Sequence, residues 1–195
     1  MSTIPLWFKL AYTAFVAVIV VIYWIRYTPV NFLWFSDIAF IGAVPALWLE
    51  SAYLAGVLNV AVLLPEVLWN VDYLGRLVLR RRITGLTEYM FDPKIPMWLR
   101  ALSLFHVPLP FVLVWMSYAY GYPDEALWGA IAMALVVLPL SYFVGPEEKN
   151  INWVHGPARK QTRFHPMAYL ALLTAGFIFL IFVPTHFLMR WLFGS

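Results

Sequence analysis

The chain contains no cysteine in its 195 residues, which excludes a disulfide framework, a thiolate nucleophile and cysteine-ligated zinc, and leaves redox compartment unreadable. Charge is scarce too. Asp, Glu, Lys and Arg make up 12% of residues, against about 25% in a soluble domain. Internal repeats and low-complexity tracts are missing, and no polar stretch is long enough for a separate soluble domain, so residues 1–195 are expected to form one transmembrane domain. What is present is apolar: 63% hydrophobic residues, 18% aromatic, and a mean hydropathy of +0.78. The solvent for most of this chain is lipid. A net charge of +3 and a pI near 9.2 do not indicate nucleic acid, because the basic residues form no stripe with base-stacking aromatics.

Apolar runs of about 20 residues match a hydrocarbon core about 30 Å thick. Six can be drawn, over 6–27, 32–49, 52–71, 97–120, 126–144 and 167–191. The first lacks a cleavage pattern and is expected to be a retained helix. Trp and Tyr sit near many of the ends, among them Trp7, Trp24, Trp48, Trp69, Trp98, Trp128 and Trp191, as interfacial belts require. Six spans put Arg26, Arg76, Arg80, Arg81, Arg82, Lys94, Arg100, Lys149, Arg159, Lys160 and Arg163 on one side and only Lys9 and Arg190 on the other. The positive-inside rule then makes the long loops cytoplasmic and both termini external. The fold expected is all-α, a polytopic six-helix bundle with a polar cavity open to the cytoplasm, and the bacterial inner membrane is the expected location. Prolines at 45, 65, 108, 110, 139 and 184 interrupt helices two to six and favour packing into one bundle.

A few polar residues stand inside these runs. Ser36 and Asp37 are adjacent in the second, and a carboxylate in hydrocarbon costs about 2.5 to 3.5 kcal/mol unless a partner or wet cavity receives it. Asn59, Glu66 and Asn70 form one stripe of the third helix, so that stripe faces protein. Asp72 is placed near the cytoplasmic surface, spaced to pair with Arg76. Ser103 and His106 share a face of the fourth helix, with Arg100 nearer the cytoplasm. At about 1.5 Å per residue Ser36 lies about 6 to 8 Å inside its helix and His106 about 13 Å inside its own, both in the cytoplasmic half with Asp37, Glu66 and Asn70. His186 falls near the other face, which argues against haem ligation by His106 and His186. Asp37, Glu66, His106 and a folded-back His155 are chemically able to hold a metal, but their spacing has no recognised signature; no metal or cofactor is expected.

Phe32-Leu-Trp-Phe-Ser-Asp-Ile-Ala39, Ser103-Leu-Phe-His-Val-Pro-Leu-Pro110 and Asn150-Ile-Asn-Trp-Val-His155 together resemble an uncharacterised family of bacterial integral membrane proteins, in which position 36 is usually Cys. More distantly they are similar in order and spacing to the YwaF-like membrane proteins and to a related eukaryotic transmembrane acyltransferase acting on ether phospholipids. The resemblance implies Ser36 as nucleophile, His106 as general base and Asn152 as an orienting group. Ser in place of Cys is a departure, since a hydroxyl needs stronger help from a base than a thiol does.

The function expected from these residues is an intramembrane lipid acyl hydrolase or acyltransferase, whose partners are membrane lipids. Ser36 and His106 would be catalytic, with Asp37 holding His106 or pairing with Arg100. Asn59, Glu66, Asn70, Arg100, Ser103, Asn152 and His155 would line the substrate, and Arg80, Arg81 and Arg82 would bind a lipid phosphate. Two other classes remain open: a small proton-linked carrier using Glu66, Asp37 and His106, and a non-catalytic assembly or lipid-binding subunit, alone, as a homo-oligomer or in a membrane complex. The geometry that separates them is whether Ser36 Oγ lies within hydrogen-bond reach of the His106 ring.

Overall fold

A computed structural model describes residues 3–157 and 160–194; Arg159, counted above among the basic residues, lies outside them. Helix accounts for 77% of the chain, and no strand occurs among the described residues. Among the described residues five helices are long and apolar enough to cross a membrane: Leu6–Arg26, Ala52–Leu79, Met97–Tyr120, Ala126–Val144 and Pro166–Phe193. A sixth apolar helix, Phe35–Trp48, is shorter.

Helix α1 (Leu6–Arg26) buries Lys9, Tyr12, Val16, Ile19 and Tyr23, a stripe at three- and four-residue spacing, and leaves the rest of its apolar surface outward. A 3-10 turn, Pro29–Leu33, follows. Helix α2 (Phe35–Trp48) therefore starts three residues later than its apolar run, and its 14 residues span only about 21 Å. Its inner face is small, with Ala39, Ala43 and Ala46 fully buried, which lets it lie close to its neighbour. That neighbour is α3 (Ala52–Leu79), the central post of the bundle, which packs against α2 and three later helices. It runs eight residues beyond the expected end at Val71 and closes at Arg80, whose φ of 52° is left-handed.

The fourth span is broken. Helix α4 (Met97–Leu102) passes into a 3-10 turn, Ser103–His106, before α5 (Leu109–Tyr120) begins. Pro108 has no N–H to donate to Leu104 O, and Val107 N donates to it instead at 2.9 Å, so the chain tightens there. Helix α6 (Ala126–Val144) approaches α3 through Gly56, where an added Cβ would stand 2.8 Å from Ala126 Cβ. The last span consists of α7 (Pro166–Gly176), a π-helical segment Phe177–Phe182, and α8 (Val183–Phe193). The widened turn puts two residues five apart on one face, and Phe177 and Phe182 both meet Phe35, at 5.2 and 6.3 Å between ring centroids.

The two ends of the bundle are stitched differently. At one, Lys9 Nζ meets Glu50 Oε1 at 2.6 Å and Arg190 Nε meets Asp124 Oδ1 at 3.4 Å. At the other, Lys149 Nζ donates to Thr28 Oγ1 at 2.8 Å and Arg26 lies over the Trp98 ring at 5.4 Å. Here one expectation fails. Asp72 lies inside α3 and does not pair with Arg76. Its carboxylate accepts Thr84 N, Gly85 N, Thr87 N and Thr87 Oγ1 at 2.6 to 3.1 Å, while Arg76 lies over the Phe91 ring at 4.6 Å. Backbone N–H groups that need an acceptor outcompete a flexible guanidinium that water can satisfy.

Asp72 thus pins the loop from Thr84 to Thr87. Asp72→Ala strands those donors and is expected to lower stability by about 3 kcal/mol. Faster trypsin cleavage at Arg80, Arg81 and Arg82 should accompany the loss, and unchanged thermal unfolding and proteolysis in detergent would contradict this role.

Candidate functional site

Glu66, His106, Ser36 and Asp37 each sit beside a proline or an irregular turn in their span. Glu66 follows Pro65 in α3, His106 ends the 3-10 turn of the fourth span, and Ser36 and Asp37 occupy the first turn of α2. The last point corrects the expected placement of Ser36 and Asp37 well inside a helix. Because the 3-10 turn displaces the start of α2, they lie at its N-terminus, where backbone N–H groups have no partner within the helix.

The centre of the site is a hydrogen-bonded couple. His106 Nδ1 lies 2.8 Å from Glu66 Oε2, with Glu66 2% exposed. Asn70, one turn beyond Glu66, fixes the pair from outside: its Nδ2 donates to Glu66 O and to His106 O, each at 2.8 Å. The His106 ring stacks on Trp69 and on Phe105 at 4.6 and 4.3 Å. The row of near-parallel rings continues to Tyr73 beyond Trp69 and Phe40 beyond Phe105. Among the described residues Nε2 makes no hydrogen bond, so the imidazole is oriented at one nitrogen and free at the other.

Glu66, not Asp37, therefore holds His106. Asp37 is 5% exposed, within electrostatic range of both, and accepts only a long contact of 3.5 Å from Asn31 Nδ2. It does not pair with Arg100, which turns away and donates from Nη1 to Met90 O at 2.7 Å, its Nε buried without a partner. Ser103 bonds Tyr23 OH at 3.1 Å, and the Tyr89 hydroxyl accepts Trp69 Nε1 at 3.3 Å. Burial raises the Tyr89 phenol well above its ordinary range and keeps it a neutral hydroxyl. Tyr23, Tyr89 and Trp69 carry no polar signature in the sequence that sets them apart from interfacial aromatics.

Other expected site residues are elsewhere. Asn59 Nδ2 donates to Ala55 O, Leu113 O and Ser117 Oγ and ties α3 to α5 deeper in the bundle. The His155 ring lies against Tyr142 at 5.0 Å and makes no hydrogen bond to Ser36, Asp37, Glu66 or His106. Asn152 does not orient His106. Its Oδ1 accepts Phe35 N at 3.2 Å and its Nδ2 donates to Leu33 O at 2.8 Å and Ser141 Oγ at 3.1 Å. Arg80, Arg81 and Arg82 are exposed at the basic end, with Arg82 paired to Glu88 at 2.6 Å. His186 bonds Tyr122 OH at 2.7 Å, far along the chain from the His106 partners.

Ser36 makes no hydrogen bond to His106 among the described residues, and its hydroxyl is half-buried with no other partner. Cavities of about 360 Å³, lined by Tyr122, Asp124 and Arg190, and about 450 Å³, lined by Lys160, Arg163 and Phe164, are both lined by other residues. Among the described residues no three His, Asp or Glu side chains converge as metal ligands. No protein-family model, curated protein or solved structure matches the chain.

Coupling between Glu66 and His106 is measurable. In a double-mutant cycle with Glu66→Ala and His106→Ala, unfolding in detergent should give an interaction energy of about 1 to 3 kcal/mol. Effects that add to within about 0.5 kcal/mol would show that the pair does not act as a unit.

Proposed function

We propose that the chain is an integral membrane protein of six spans with its basic end in the cytoplasm, and that it transfers or hydrolyses lipid acyl groups through Ser36, His106 and Glu66. The observation that carries this reading is the buried 2.8 Å contact of Glu66 with His106 Nδ1. A carboxylate on one imidazole nitrogen sets the tautomer, stabilises the imidazolium and leaves Nε2 to act as a base, which is the base-and-orienter half of a hydrolytic triad.

In the proposed cycle Ser36 Oγ attacks the acyl carbonyl as Nε2 takes its proton. The ester C–O bond breaks, His106 returns the proton to the departing alkoxide, and acyl-Ser36 remains. Water or a second lipid hydroxyl then attacks the acyl carbon, losing its proton to His106, and His106 gives that proton to Ser36 Oγ as the acyl–Oγ bond breaks. N–H groups of the first turn of α2 are suited to the negative charge that develops on the carbonyl oxygen. Ser36 is not bonded to His106 among the described residues, so the cycle requires its hydroxyl to turn toward Nε2 as substrate enters. Arg80, Arg81 and Arg82 offer a surface contact for the lipid phosphate, not a wall of the site. A bacterial inner membrane is the location this reading implies.

A proton-linked carrier is the second reading, favoured by the two buried carboxylates, Asp37 and Glu66, around one imidazole at helix breaks. Against it stands the packing beyond the site. Ala43, Ala46, Leu47, Val60, Ala61 and Met116 are fully buried and apolar there.

A fluorophosphonate probe separates the two readings. Labelling should fall on Ser36, vanish in Ser36→Ala and slow by about 100-fold or more in His106→Ala, as loss of a general base predicts. Folded wild-type protein that takes no label, together with Glu66-dependent proton flux in liposomes, would replace the enzyme with the carrier.

A further inference from the structure

The start of α2 is capped in an unusual way. An N-cap side chain normally accepts the N–H of the second or third helical residue. Trp34 occupies the N-cap position and has no acceptor to offer. Asn152, 117 residues away in the chain, accepts the N–H of the first residue, Phe35, instead. Ile38 N bonds Trp34 O, so the N–H groups left without partners among the described residues are those of Ser36 and Asp37. These are the two that an ordinary cap would have covered.

The loop carrying Asn152 is built to hold that amide in place. Asn150, Asn152 and Trp153 all have left-handed backbone conformations, with φ of 42°, 52° and 59°, and such residues persist only where their surroundings over-determine them. Asn150 bridges the loop, accepting His155 N at 2.9 Å and donating to Gly156 O at 2.7 Å, and Tyr169 OH donates to Trp153 O at 3.0 Å. Asn152 itself is 4% exposed and uses both amide atoms: its Nδ2 grips Leu33 O on one side of Trp34 while Oδ1 grips Phe35 N on the other. On the opposite side of Phe35, Phe177 and Phe182 hold the ring.

From this we infer that Asn152 is a positioning residue for Ser36: it sets the first turn of α2 so that the Ser36 side chain and the two free N–H groups are presented together to the Glu66 and His106 pair. The inference rests on the acyl-transfer reading for its purpose, but its geometry can be tested without any enzymatic activity. Asn152 acts through the backbone of α2 and touches no reacting atom.

The native chain has no cysteine, so Ser36→Cys introduces a single thiol at the first turn. A thiol at a helix N-terminus ionises more readily because the free N–H groups stabilise the thiolate, and its alkylation rate near neutral pH reports that field. Full-length protein in detergent is treated with iodoacetamide and the adduct followed by mass spectrometry. Adding Asn152→Gly, which deletes the amide yet tolerates the left-handed φ, is expected to slow alkylation at about pH 7 by about tenfold. At about pH 10, where the thiol is ionised in either background, the rates should agree within about twofold. Asn152→Ser, too short to span Leu33 O and Phe35 N, should behave like Asn152→Gly and serves if that variant does not fold. Equal rates at about pH 7 with and without Asn152, or a thiol that stays unreactive at about pH 10, would overturn the proposal. Fluorophosphonate labelling of the native chain reports on the other layer. If the thiol depends on Asn152 but Ser36 never takes the probe, acyl transfer fails and the positioning role stands; if Ser36 is labelled at the same rate in Asn152→Gly, the positioning role fails and acyl transfer stands.

Discussion

Burying Glu66 and His106 in an apolar bundle is the constraint on which the rest of this structure depends. A carboxylate removed from water costs several kcal/mol unless another group replaces its hydration. His106 does so at 2.8 Å, and reaching it requires the fourth span to abandon regular helix at Ser103–His106. Asn70 satisfies the carbonyls of both residues, so one amide secures the pair without adding charge. The flat rings of Trp69 and Phe105 then cover the imidazole with surface that neither competes for its hydrogen bonds nor admits water.

Helix interruptions and chemistry coincide because they have one cause. A membrane helix satisfies its own backbone and offers nothing to a ligand; only where the ladder is interrupted do N–H and C=O groups become available. Pro108 breaks the fourth span beside His106, Pro65 precedes Glu66, and the 3-10 turn at Pro29–Leu33 delays α2 until Phe35. The π-helical segment Phe177–Phe182 is the same device on the last span. It precedes Pro184, which cannot donate to the turn before it, and it turns two phenylalanines onto Phe35.

Two loops at the basic end reach back into the bundle and complete this arrangement. One is pinned by Asp72 and brings the Tyr89 hydroxyl to Trp69. The other inserts Asn152 between Leu33, Phe35 and Ser141. Both loops look polar and turn-rich in the sequence, yet each contributes a buried group.

Much of the architecture is written in composition and periodicity. Apolar runs of membrane length, prolines at helix breaks and the stripe of Asn59, Glu66 and Asn70 are local properties, and lipid leaves a chain of this hydropathy little choice but helix. The shared depth of Glu66, Asn70 and His106 followed from counting residues at a fixed rise, and it does bring those three together. Partner choice was not local. Depth matches Asp37 and Arg100 to His106 or to each other, and resemblance matches Asn152 to it, but neither specifies which face of which helix is turned inward. Side chains separated by 40 residues or by 117, as in Glu66 with His106 and Asn152 with Phe35, meet only through the packing of whole helices. The sequence alone determined a helical membrane-type chain with a few costly polar residues in it; tertiary structure decided which of them satisfy one another, because burial penalises every polar group but only geometry supplies its partner.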